Sequence, residues 1–361
     1  MWQTRFKEKI GLKFPIIQAP MAGGATSPEL VAAVSNSGGL GSLGAGYMSP
    51  AEIRKALKKI RQLTNKPFAV NLFIPENHHA SADQIHKSCQ DVKNCCPELE
   101  IPIEPVAEPF AQPFEEQIHI IIEEKIPVLS FAFGVLETKW ISELKKNKTF
   151  LMGTATNLAE AKILGDSGVD AVVAQGSEAG GHRGTFIGQP EDGLIGLFSL
   201  LPQMVDHLKI PVIAAGGIMD GRGIVAAMDL GAEGIQMGTA FLSCYECGIP
   251  DAYKQLLLNQ KQDNTVLTRV FSGKLARGIR NLFIDRMETK NASILDYPIQ
   301  NALTSYMRKK AKEQNNVHFM SLWAGQSASL CRNMSVNELL KNLVSEAEAL
   351  KGKCSFLNPK P

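Results

Sequence analysis

Residues 211–218 read PVIAAGGI and residues 234–242 read GIQMGTAFL, two short apolar runs that each break into glycine. A run this short and this apolar is the pattern of a strand buried on both faces, as in a parallel sheet covered by helices. Six further runs of the same kind precede them, at 16–19, 40–45, 68–73, 128–133, 149–153 and 171–175, with helical segments between most neighbours. The alternation predicts the α/β class, and eight strands predict closure into a (β/α)8 TIM barrel. Helix starts are marked as well. Ser27-Pro28-Glu29 and Ser49-Pro50-Ala51-Glu52 each place a serine N-cap before a first-turn proline, with an acid where the helix end is positive.

Two stretches fall outside this repeat. From residue 75 to about 127 runs a proline-rich, acidic excursion (Pro97, Pro102, Pro105, Pro109, Pro113), too irregular for one helix, which predicts an elaborated loop near the barrel mouth. Residues 243–316 are mostly helical in pattern and longer than a barrel connection requires. They read as a small inserted helical domain, with the last barrel helix starting near 321–327. The expected division is a barrel of residues 1–242 and 317–361 and an insertion of residues 243–316.

Composition excludes several classes. Of the 361 residues 44% are hydrophobic and 20% charged, as in an ordinary globular protein, and a net charge of +2 makes no field for nucleic acid or an anionic membrane. Basic pairs such as Arg54-Lys55 and Lys58-Lys59 recur at helical spacing and read as solvated faces. No apolar run is long enough for a membrane span and no signal region is evident, so a cytoplasmic enzyme is expected. Seven irregularly spaced cysteines predict reduced thiols rather than a disulfide framework. His78, His79, Asp83, His86, Cys89, Cys95 and Cys96 crowd together without a standard zinc spacing, and Cys244-Tyr245-Glu246-Cys247 has no second pair. No metal site is expected, and the first group reads as decoration of a surface loop.

In barrels of this kind the loops after strands seven and eight commonly hold a phosphate, using backbone N–H groups and a short helix N-terminus. Gly216 and Gly217 follow the seventh run, and Gln236, Met237, Gly238 and Thr239 close the eighth. Glycine lets the backbone approach an anion, the threonine hydroxyl can donate, and the helix end adds roughly 0.3–1 kcal/mol for a negative group. Residues 39–44, GLGSLG, also match a dinucleotide fingerprint. They follow no buried strand and precede no acid at the ribose position, so they read as a glycine-rich strand and loop of the barrel.

After the sixth run comes AQGSEAGGHRGTF, residues 174–186, in which four glycines surround His182. A strand's C-terminal end is where barrels keep their chemistry, and an imidazole titrates near neutrality, so His182 is the candidate general base. Arg183 either attracts an anionic substrate or is solvated.

Taken with QAPMAGG at 18–24, VSNSGGLGSLGAG at 34–46, NLF at 71–73, AAGGI and QMGTAFL, this run resembles the class I nitronate monooxygenases across nearly the whole barrel. The resemblance implies FMN across the barrel mouth, with Asn71, Gln175 and Gly180 near its ring or ribityl chain. Gly217 and residues 236–239 would hold the phosphate, Met21 would line the pocket, and Gln326 would contribute from the last helix. It implies that His182 takes the α-proton of a nitroalkane or positions a ready-made nitronate, propionate 3-nitronate among them. Single-electron transfer from the nitronate to FMN, through a flavin semiquinone, then allows O2 to give a carbonyl compound and nitrite. The chain departs from the family at Ala132, where a polar residue is common, which bears on substrate range. Flavin-dependent enoyl-[acyl-carrier-protein] reductases and NAD(P)H:quinone reductases share parts of the pattern and stand as alternatives. A flavin-binding sensor or scaffold is the non-enzyme alternative, and a homodimer is compatible with the sequence.

Overall fold

The computed structural model describes residues 1–76, 78–101 and 107–354, with the side chains of 352–354 excepted. Its eight barrel strands are β1 (Ile16–Gln18), β2 (Gly41–Gly44), β3 (Phe68–Phe73), β4 (Val128–Ala132), β5 (Phe150–Ala155), β6 (Ala171–Gln175), β8 (Val212–Ala215) and β9 (Gly234–Met237). They lie parallel in the order β1-β9-β8-β6-β5-β4-β3-β2. The ring closes where the Leu40 N–H donates to the Ile16 carbonyl (2.9 Å) and the Gln18 N–H to the Leu40 carbonyl (3.0 Å). β7 (Gly181–His182) lies outside this ring and belongs to the histidine loop. Every strand expected from the apolar runs is present, shifted by two residues at most.

Side-chain alternation divides the core in two. Ile17, Ala69, Val128, Met152, Val173 and Ile213 pack inside the barrel, while their neighbours along each strand face the outer helices. Phe6, on the helix Arg5–Ile10, plugs the interior from below and meets Phe150 edge-on at 5.8 Å between ring centroids. Burying a ring of this size contributes roughly 2–3 kcal/mol. The glycines of residues 39–44 have a packing cause: a Cβ at Gly41 would lie 2.0 Å from the Val31 carbonyl oxygen on the helix Pro28–Asn36. Both marked helix starts form as read, Ser27 capping the Leu30 N–H and Ser49 making a reciprocal box with Glu52.

Three expectations change. The last barrel helix spans Val336–Cys354, not a start near 321–327; its signal is Ser335, which exchanges hydrogen bonds with Glu338. Residues 321–335 instead cross the barrel mouth, with one short turn at Ala328–Leu330. The proline-rich excursion contains two helices, Ala82–Cys95 and Phe114–Glu123, while Pro102 and Pro105 lie outside the described residues. Cys95 and Cys96 are fully buried there and not on a surface loop. Residues 243–316 hold helices such as Leu282–Thr289 and Ser305–Glu313 but also a hairpin, β10 (Thr265–Thr268) and β11 (Ala276–Ile279). β11 pairs antiparallel with β7, so the inserted residues reach the histidine directly.

The excursion and the insertion pack on each other over the mouth. Arg286 grips Glu98 with two bonds of 2.8 and 2.7 Å, the Ser293 N–H donates to Asp91 (2.9 Å), and Cys89 packs with Leu295, Ile299 and Leu303. Among the described residues no helix is long and apolar enough to cross a membrane, and the six described cysteines form no disulfide.

Candidate active site

A pocket opens at the C-terminal ends of the strands. It is lined by Met21 after β1, Asn71 on β3, Gln175 at the end of β6, Gly180 and His182, Gly216 and Gly217 after β8, and Gln236, Met237, Gly238 and Thr239 at β9. All the candidate ligands and the candidate base thus face one space, except Gln326. Its side chain donates to Asp263 (3.2 Å), and its neighbour Ser327 lines the pocket instead.

One end of this space is a cradle of backbone. Gly216 and Gly217 have φ of 117° and 70°, values that a side chain would strain, and turn their peptide groups into the pocket wall. The amides of Gly217, Gly238 and Thr239 make no loop hydrogen bond among the described residues. The Gly325 N–H donates to Thr239 Oγ1 (2.9 Å), which leaves the hydroxyl proton to donate elsewhere. Residues 321–327 seal this end, and at Gly180 a Cβ would stand 2.5 Å from the Gly325 nitrogen.

The other end carries His182. Its backbone is fixed from both sides, by the β11 pairing and by Gln175, whose amide donates to the His182 carbonyl (3.0 Å) and accepts from the Gly184 N–H (2.8 Å). Its Nε2 lies 2.8 Å from Ser272 Oγ, and its ring stacks obliquely on Trp323 at 5.3 Å. By area His182 is half-buried, yet it lies deep among protein atoms, because the surface it keeps lines the pocket. Burial, followed by the charges of Lys274 and Arg308, pushes its pKa down to about 3. The imidazole is therefore neutral at any ordinary pH, with one nitrogen bound to Ser272 and the other left to act.

Arg183 takes neither role expected of it. It is buried, donating to the carbonyls of Gly176 (2.6 Å), Gln175 and Gly193 (2.8 Å each), and burial lowers its pKa to about 10. A guanidinium matches several converging carbonyls that no apolar side chain would satisfy, so Arg183 shapes the loop on which His182 sits. Buried Glu160 does the same downstream, accepting from the amides of Phe186 (2.6 Å) and Ile187 (3.1 Å).

Sequence reading missed Ser272, Lys274, Tyr47, Arg308, Lys312 and Ser327. Lys274 pairs with Glu76 at 2.5 Å and lies over the Phe133 ring at 4.4 Å, and its charge is felt by His182. Phe133, at φ 75°, holds a strained backbone that aims its ring between Phe73 (4.8 Å) and His182 (6.0 Å). Ala132 also lines the pocket, so no polar side chain from that position reaches it. Among the described residues no three His, Cys, Asp or Glu side chains converge as a metal site.

Comparison with known proteins gives this arrangement a context. The family model described as nitronate monooxygenase matches residues 3–346. A probable nitronate monooxygenase of Staphylococcus saprophyticus is 45% identical over 354 residues, covering 97% of this chain and 99% of that protein. One of Staphylococcus aureus strain Newman is 44% identical, covering 96% and 98%. Among solved structures, nitroalkane oxidase from Streptomyces ansochromogenes superposes with a TM-score of 0.87 at 36% identity, covering 95% of this chain and 98% of that one. FabK from Thermotoga maritima superposes with a TM-score of 0.77 at 31% identity, covering 99% and 100%. A family match across the barrel, the histidine loop and the insertion alike means that the chain belongs to the nitronate monooxygenase family and is an oxidoreductase of that family.

Proposed function

We propose that the chain binds FMN across the barrel mouth and oxidises small alkyl nitronates with O2, releasing a carbonyl compound and nitrite. The observation that carries this reading is a single pocket with an amide-lined cradle at one end and a neutral histidine beside cations at the other. The cradle fits a phosphate: the amides of Gly217, Gly238 and Thr239 and the hydroxyls of Thr239 and Ser327 are donors, and there is no Cβ at 217 or 238 to fill the space. Asn71 and Gln175 present amides along the wall where the ribityl chain and ring edge would lie. When bound, FMN supplies the electron acceptor.

The chain's own residues do the rest. Lys274, held by Glu76, helps to keep the His182 ring uncharged. Phe133 and Trp323 bound the space and exclude water from it. His182 is in its proton-accepting form; as a proton leaves a nitroalkane's α-carbon, the negative charge that grows beside it offsets the cations and favours the imidazolium. Toward a ready-made nitronate the same ring orients the nitro group.

The test is turnover of ethyl or propyl nitronate by the purified protein, followed by nitrite and by an oxygen electrode. Nitrite should appear with oxygen uptake and without NADH or NADPH; oxygen uptake without nitrite would remove the reading.

A further inference from the structure

Among the described residues the His182 ring has one hydrogen-bonding partner, Ser272, which comes from the insertion and not from the barrel. Ser272 sits in the turn at residues 270–274 that leads into β11. The helix Ile299–Leu303 and the residue after it hold that turn in place: the Gln300 side-chain amide donates to the Val270 carbonyl (2.9 Å), and the Thr304 hydroxyl donates to the Phe271 carbonyl. The Gly273 N–H donates to the Arg269 carbonyl (2.7 Å). Glycine is required there, because φ is 81° and a Cβ would stand 2.1 Å from the Leu295 carbonyl oxygen. Ser272 itself is buried, so its hydroxyl has little freedom to leave the ring.

Three contacts meet at the Ser272 hydroxyl. It lies 2.8 Å from His182 Nε2, accepts from the Lys274 N–H at 3.3 Å, and donates at 3.2 Å to the Lys274 carbonyl, which has no other donor among the described residues. A hydroxyl has one proton and two lone pairs. With the proton given to the Lys274 carbonyl and one lone pair taken by the Lys274 N–H, the remaining lone pair can only accept, so Nε2 must carry the ring proton. The opposite arrangement, in which the hydroxyl donates to Nε2, strips the Lys274 carbonyl of its partner and leaves two oxygens facing each other at 3.2 Å. The neutral ring, which lines the pocket, is therefore protonated on Nε2 and bare on Nδ1.

We propose that Ser272 is a positioning residue that fixes this tautomer of His182 and so makes Nδ1 the atom that takes the α-proton of a nitroalkane. This rests on the function proposed above and assigns its proton to one nitrogen. The C–H bond breaks, its electron pair stays with the nitroalkane as the nitronate, and the proton goes to Nδ1. Nε2–H then becomes a charged donor to an oxygen that already accepts from it, so the bond strengthens without any group having to turn. Serine suits this place where a carboxylate would not, since its hydroxyl accepts the bond and adds no charge to hold the ring protonated beforehand. The ring's pKa moves in the same sense: burial and the charges of Lys274 and Arg308 hold it down, with no carboxylate raising it.

Two experiments test this. Holoprotein carrying nitrogen-labelled histidine gives a long-range proton–nitrogen correlation spectrum, in which the His182 pattern is the one missing from His182→Ala. The native protein should show Nε2 protonated and Nδ1 unprotonated; a proton on Nδ1 would overturn the proposal. The second experiment compares kcat/KM on nitroethane and ethyl nitronate in Ser272→Ala and Ser272→Thr, with a thermal melt and the flavin content measured for each. Ser272→Ala should lose about 10–100-fold on nitroethane, the range of one hydrogen bond to a charged group, and much less on ethyl nitronate, whose proton is already gone. Ser272→Thr keeps the hydroxyl and should restore most of the loss. Equal losses on the two forms in a folded variant, or no loss on nitroethane, would overturn the role given to Ser272. If neither form is turned over by the native protein, the proposed function fails, and the spectrum, which needs no change at residue 272, still decides the tautomer.

Discussion

Replacing His182 by alanine is expected to lower turnover of a neutral nitroalkane by roughly 10²–10⁴, the usual contribution of a positioned general base, with flavin still bound. The main chain of residue 182 should stay in place, because Gln175 and β11 hold it through backbone groups that alanine keeps. What disappears is the ring whose Nε2 meets Ser272 and whose other nitrogen is proposed to take the α-proton. A preformed nitronate has already lost that proton and should suffer less. Steady-state rates on nitroethane and ethyl nitronate, with the flavin-to-protein ratio measured alongside, give the comparison. Equal losses on both forms would assign His182 to positioning rather than proton abstraction.

Gly238→Val should raise the dissociation constant of FMN at least ~100-fold, about 2.7 kcal/mol, while the protein keeps its fold. Position 238 allows that separation. Its φ is −102°, accessible to any residue, and a Cβ there would approach nothing nearer than the Ala19 Cβ at 3.5 Å. The remaining atoms of valine would have to share the cradle with the phosphate. Gly217→Val is a poorer test, because φ is 70° and loss of flavin would be confounded with backbone strain. Fluorescence titration of the apoprotein with FMN, beside a thermal melt, reads both quantities. Unchanged affinity in a folded variant would place the phosphate elsewhere.

The barrel was legible because its strands are buried on both faces and so leave apolar runs that survive without any tertiary information. The cradle and the histidine loop were legible because glycine clusters at strand ends have few other uses. The cap was not. The helix Ala82–Cys95 buries Ser88, Cys89, Val92 and Cys95, at helical spacing but too weakly apolar to stand out among flanking prolines. The hairpin strands are four residues each, and β11 carries Arg277 in its middle, so no period-2 pattern marks them. Ser272 and Lys274 reach His182 only through pairing of segments about ninety residues apart, a relation that no local pattern encodes. The inward turn of Arg308 and Lys312 likewise depends on what the opposite face of their helix packs against.

The central claim is that a nitronate is itself the electron donor. The most direct test mixes the purified holoprotein with ethyl nitronate under anaerobic conditions and follows the visible absorbance of the bound cofactor. The account predicts rapid loss of that absorbance with the nitronate, its return on admitting oxygen, and a negligible change with NADH or NADPH alone. Rapid loss with NADPH and none with any nitronate would contradict the account and place the chain with the reductases instead.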